Sequence, residues 1–95
     1  MFIIDISYKV PLETVDQHLA AHVQFLNEQY ELGHFVASGR KVPRTGGIIL
    51  SPLTDRTFLE AIIARDPFNV HDLADYVLTE FIPSKTSKEL QFLLG

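Results

Sequence analysis

From Phe2 to Lys9 the apolar residues Phe2, Ile4, Ile6 and Tyr8 alternate with Asp5, Ser7 and Lys9. Successive side chains of a strand point to opposite faces, so this period of two predicts a first strand with one predominantly apolar face. Pro11 then opens a helix at a position that needs no amide donor, with Glu13 and Asp16 at the positive end of its dipole. The helix is expected to run unbroken to about Leu32 and to stop at Gly33. Within it Val15, Leu19, His22, Val23, Leu26 and Tyr30 recur at spacings of three and four, which predicts a single stripe facing a sheet.

Phe35 to Arg40 and Gly47 to Ser51 read as two short strands joined by the turn-prone Lys41 to Gly46. Thr54 is positioned to cap a second helix, whose apolar residues Phe58, Leu59, Ile62 and Ile63 keep helical spacing and which ends near Arg65. Pro67 keeps Asp66 out of that helix. A short turn or helix from Asn69 to Leu73 precedes a last strand, Tyr76 to Ile82, ended by Pro83.

The order is βαββαβ. Right-handed crossovers turn it into an α+β, ferredoxin-like domain: a four-stranded antiparallel sheet with both helices on one face. The other face is not polar, since Ile48 and Leu50 oppose Ile49 while Val77 and Phe81 oppose Tyr76, Leu78 and Ile82. Two buried faces are demanded, and a second subunit's sheet would supply the missing layer.

Composition narrows the partners. A chain of 95 residues supports one core, and 46% hydrophobic residues exclude disorder. Residues 1–84 form the expected domain. Residues 85–95 are a tail closing on Leu90, Phe92, Leu93 and Leu94, expected to dock on the domain or on a neighbouring subunit. The formal charge of −4, with dispersed cations, argues against nucleic acid or anionic lipid as partner. No apolar run is long enough to span a membrane. With no cysteine and no signal-like opening after Met1, a cytoplasmic location is expected. A small molecule and a further copy of the chain are the expected partners, as a homodimer or higher homo-oligomer.

Three places can carry chemistry. His22, on an apolar stripe, is either a core or interface histidine or an acid–base group whose tautomer a carboxylate fixes. Asp66 before Pro67 suits a helix N-cap, and a catalytic carboxylate is the alternative. The two residues come from the middle of one helix and the end of the other, and both helices pack on one face, so they are able to meet. Arg40 and Arg44 flank the hairpin bend, where a guanidinium binds a carboxylate or phenolate or simply faces solvent. Gly39 after Ser38 permits close backbone approach or marks a bulge. His18, one turn before His22, lacks the companions of a metal site, so no metal is expected.

A first strand, His22 within HLAAHVQFL, a strand ending Ala37-Ser38-Gly39, and then Asp66-Pro67-Phe68 occur in that order. In this combination the chain resembles the YCII-related family over Phe2 to about Ser84. The resemblance implies a dimeric α+β barrel of ferredoxin-like subunits, akin in fold to muconolactone isomerase. It also implies a site with His22 and Asp66 as the catalytic pair; Ser38, Gly39, Arg40 and Phe68 are the residues expected to bind substrate beside it. Where the family often has proline after the Ser-Gly of the second strand, this chain has Arg40. The activity expected of such a pair is cofactor-independent proton transfer on a small cyclic or phenolic compound, as in an isomerase, a lyase or a dehydrochlorinase. A non-catalytic metabolite-binding or accessory module is the alternative.

Overall fold

The computed structural model describes residues 1–95. Its elements follow in the order β1 (Phe2–Tyr8), α1 (Leu12–Gln17), α2 (Leu19–Glu31), β2 (Ala37–Arg40), β3 (Gly46–Ser51), α3 (Arg56–Ile63), α4 (Pro67–Val70) and β4 (Ala74–Glu80), with a 3-10 segment at Lys88–Leu94. The sheet order is β2-β3-β1-β4 and every neighbouring pair is antiparallel. This is the ferredoxin-like α+β arrangement that the βαββαβ order predicts.

Register decides what each face carries. Ile4 lies opposite Ile49 and Leu78, and Ile6 opposite Gly47 and Tyr76, so these residues share a face. On that face Phe2, Ile4, Ile6 and Ile49 pack with Phe25 of α2 and with Leu59, Ile62 and Ile63 of α3. Phe2, Ile4 and Leu59 are wholly removed from water, and each such side chain contributes about 1.5–3 kcal/mol. The opposite face carries Ile3, Ile48, Leu50 and Val77, of which Val77 is 61% exposed and the others are half-buried.

The strands approach closely at one point. A Cβ on Gly46 would lie 1.8 Å from the Ile6 carbonyl oxygen, so only glycine fits where β3 begins alongside β1.

The first helix differs from the expected single rod. It breaks at His18, which has left helical geometry (φ −112°, ψ 5°) and donates its N–H to Val15 O, three residues back. The tightened turn lies where His18 stacks on His71 and where Asp16 reaches Arg44, so tertiary contacts override the periodicity. The break also re-phases the stripe. Val15, His22, Phe25 and Gln29 are buried, whereas Leu19, Val23 and Tyr30 stay more than a third exposed.

Smaller shifts have local causes. Asp55, not Thr54, caps α3, accepting the Phe58 N–H at 3.1 Å and setting a carboxylate at the positive end of the dipole. Strand β4 starts two residues earlier than expected, at Ala74, because that residue pairs with Tyr8. The 3-10 segment buries none of its residues, while Leu93 and Leu94 line a hollow with Met1, Pro52 and Ile82.

A second apolar cluster, Val15, Phe68 and Leu73 with Tyr8, Val10 and Tyr76 against it, joins α1, α4 and the ends of β1 and β4. It is the platform on which the polar site rests.

Candidate functional site

Asp66 caps α4, with Pro67 at the first helical position supplying the fixed φ that starts the turn. Its Oδ1 accepts the Phe68 N–H at 3.1 Å and the His22 Nδ1 proton at 2.7 Å. Its Oδ2 accepts the Tyr76 hydroxyl proton at 2.6 Å. Asp66 is only 1% exposed, so these three donors take the place of water. The capping role and the pairing with His22 are performed by the same carboxylate.

A carboxylate has no proton to give, so Nδ1 of His22 carries the hydrogen of this bond, and in the neutral ring the lone pair falls to Nε2. Phe68 stacks flat on the imidazole, with centroids 3.9 Å apart and planes 6° apart, while Tyr8 meets the Phe68 ring edge-on at 5.8 Å. Tautomer and ring plane are thus both fixed. Burial, reinforced by the charge of Asp66, holds the Tyr76 phenol far above its ordinary range, so Tyr76 keeps its proton and remains a donor.

His22 borders a cleft of about 510 Å³ between α1–α2 and the β2–β3 hairpin. Leu19, Val23 and Leu26 form an apolar wall beside it. Their exposure, unexplained by packing on the sheet, is exposure to this cleft. Ser38, Gly39 and Arg40 border the cleft from β2, with Ser38 Oγ and the Tyr30 hydroxyl 2.6 Å apart. Arg44 forms an ion pair with Asp16 at 2.5 Å and holds that carboxyl below its ordinary range. Arg40 has no ion-pair partner and is the free cation of the cleft.

Comparison with protein families matches residues 1–82 to the YCII-related domain. The chain belongs to the YCII-related family. No curated protein matches it in sequence. Among solved structures, this YCII-related chain is similar to 5-chloro-2-hydroxyhydroquinone dehydrochlorinase from Burkholderia phenoliruptrix AC1100, in complex with 2,5-dihydroxybenzoquinone. The TM-score is 0.71 at 15% identity, over 85% of this chain and 93% of that one. At that identity the likeness establishes the shared fold.

Of the residues singled out in the sequence, this YCII-related domain brings His22 and Asp66 into contact and sets Ser38, Gly39 and Arg40 along one cleft. Phe68 is placed differently. At 1% exposure it does not border the cleft, and it acts on the site by stacking its ring on His22 and donating its amide to Asp66 Oδ1. His18 turns to His71, with ring centroids 4.1 Å apart, rather than to His22, and no three His, Cys, Asp or Glu side chains gather as metal ligands would. Sequence reasoning missed Tyr76. Its signal was there, for a tyrosine in phase with buried strand residues has a hydroxyl that needs a partner.

Proposed function

We propose that this YCII-related protein is a cofactor-independent enzyme that moves a proton on a small cyclic or phenolic anion. The carrying observation is the buried Asp66 held 2.7 Å from His22 Nδ1, leaving Nε2 as the base at the edge of a cleft that also holds an unpaired Arg40. An ordinary imidazole exchanges its proton near neutral pH, and Asp66 stabilises the imidazolium once it forms. Nε2 takes the proton from the substrate, the electron pair left behind moves into the ring system, and the developing oxyanion meets the Arg40 guanidinium. Returning the proton at another carbon completes an isomerisation. Expelling a halide with the electron pair, while His22 later passes its proton to solvent, completes an elimination.

The apolar wall of Leu19, Val23 and Leu26 suits a flat hydrocarbon ring, and the cleft volume suits a single small molecule. The dehydrochlorinase of like fold acts on a chlorinated hydroxyhydroquinone, which lends support to the elimination branch.

The working unit is a homodimer that covers the sheet face of Ile3, Ile48, Leu50 and Val77. A half-buried apolar sheet face of this kind is the sort that a second layer completes.

The test is to incubate the protein with chlorinated and unchlorinated di- and trihydroxybenzenes in D2O, following deuterium uptake and chloride release. The native protein is expected to catalyse one or both, and His22→Ala and Asp66→Asn to abolish them. Full turnover by folded His22→Ala would refute the reading, and binding without any exchange would point instead to a metabolite-binding module.

A further inference from the structure

Asp66 could have paired with His22 through one oxygen and left the other to water, yet its second oxygen is engaged from a different element. Tyr76, on β4 at the register position opposite Ile6, donates to Oδ2 at 2.6 Å. The Phe68 amide holds Oδ1 from α4. Donors from two elements therefore fix the plane of the carboxylate, and with it the direction in which Nδ1–H must point. We propose that Tyr76 is a positioning residue of the His22–Asp66 pair, donating to the carboxylate oxygen that His22 leaves free and so setting how strongly the imidazole holds its proton.

The physical reason is charge sharing. A buried carboxylate bound only by His22 and one amide would concentrate its charge on the imidazolium and favour the protonated ring. A hydroxyl donor on Oδ2 draws off part of that charge and so loosens the imidazolium's hold on its proton. Tyr76 suits the task because burial and the neighbouring carboxylate keep its own proton in place. Asp66 and Tyr76 are the ionisable groups linked to His22 through this network. Tyr8 packs edge-on to Phe68 and adds its own field at Tyr76, and it lines the cleft together with Asp16, Arg40 and Arg44, while His18 and His71 stack on each other.

This inference rests on the reading of His22 as a proton acceptor, but its test does not depend on turnover. The four histidines are followed by ¹H–¹⁵N correlation spectroscopy from acid to alkaline pH, with His22 assigned by its loss in His22→Ala. Native His22 is expected to titrate from the Nδ1–H tautomer. Removing one hydrogen bond to the carboxylate in Tyr76→Phe is expected to raise the His22 pKa by roughly half to one unit. Placing 3,5-difluorotyrosine at position 76, a stronger donor of nearly the same shape, is expected to lower it. A purely structural role for Tyr76 predicts no such opposed pair of shifts, and an unchanged His22 titration in the folded difluorotyrosine protein would overturn the proposal. That protein keeps the hydroxyl, so it decides the matter even if Tyr76→Phe does not fold. Should the shifts appear while His22→Ala retains turnover, the positioning by Tyr76 stands and only the catalytic reading fails.

Discussion

His22 and Asp66 lie 44 residues apart in the chain and 2.7 Å apart in space. Neither helix brings them together alone. Val15, Phe68 and Leu73 pack α1, α4 and the start of β4 into one apolar cluster, and the pair sits directly over it. The same carboxylate starts α4, so the site and the local fold share one group.

Stability and site are therefore coupled at Asp66. Asp66→Ala removes a cap and strands the Tyr76 hydroxyl and the Phe68 amide, which should cost about 2–4 kcal/mol in urea unfolding. Asp66→Asn still offers an oxygen acceptor to part of this network and should lose only about 1 kcal/mol. Equal losses in the two variants would mean that the hydrogen-bond network contributes little.

Alkaline pH gives a second handle. Tyr76 has a folded-state pKa raised above its ordinary value of 10.0, so its contribution is complete below that pH and is lost as pH rises toward the folded value. Above pH 10 the unfolded chain has released the proton and the folded one has not, a difference of one proton. Stability should then fall by about 1.4 kcal/mol per pH unit on account of Tyr76. Tyr76→Phe should show a shallower alkaline decline than the native protein in denaturant midpoints between pH 9 and 11; parallel declines would contradict the assignment.

How far the sequence carries is clear from particular elements. The alternation Phe2, Ile4, Ile6 and the helical spacing of Leu59, Ile62 and Ile63 are strong local signals, and the elements they imply are present. The break at His18 carries no local signal, with no proline or glycine nearby, because contacts with His71 and Arg44 impose it. That break explains why the expected stripe was out of phase and why Leu19 and Val23 line a cleft instead of the core. His22 and Asp66 could be named from the residues and the family resemblance, whereas the phase of Tyr76 signals only that its hydroxyl needs a partner, and that the partner is Asp66 emerges only from the fold.

Two glycines of similar appearance should behave oppositely. A methyl group on Gly46 meets the Ile6 carbonyl oxygen at 1.8 Å and the Ser7 Cα at 3.1 Å, backbone atoms of β1 that cannot swing aside as a side chain could. Gly46→Ala should cost about 3 kcal/mol or more, at the upper end of overpacking penalties. A Cβ on Gly39 meets nothing within 4 Å, so Gly39→Ala should leave stability within about 0.5 kcal/mol. Gly39 pairs with Ile48, so the added methyl lies on the outer sheet face, away from the cleft that Ser38 and Arg40 border. Differential scanning calorimetry of the two proteins checks the contrast, and a well-folded Gly46→Ala would show that β1 and β3 can separate at that end.

The outer sheet face offers the last prediction. Val77 lies directly opposite Asp5 of β1, with Ile48 on Asp5's other side. A lysine at position 77 finds Asp5 as a neighbour within its own subunit, so Val77→Lys should leave the monomer's stability nearly unchanged. Across a dimer interface built on this face, the same lysine would have to give up water against Ile3, Ile48 and Leu50 of the partner, which a charge tolerates poorly. Sedimentation equilibrium should therefore find a dimer for the native chain and a folded monomer for Val77→Lys. A variant that stays dimeric would mean that the subunits meet elsewhere, with the exposed Phe92 and Leu94 of the C-terminal segment the next surface to examine.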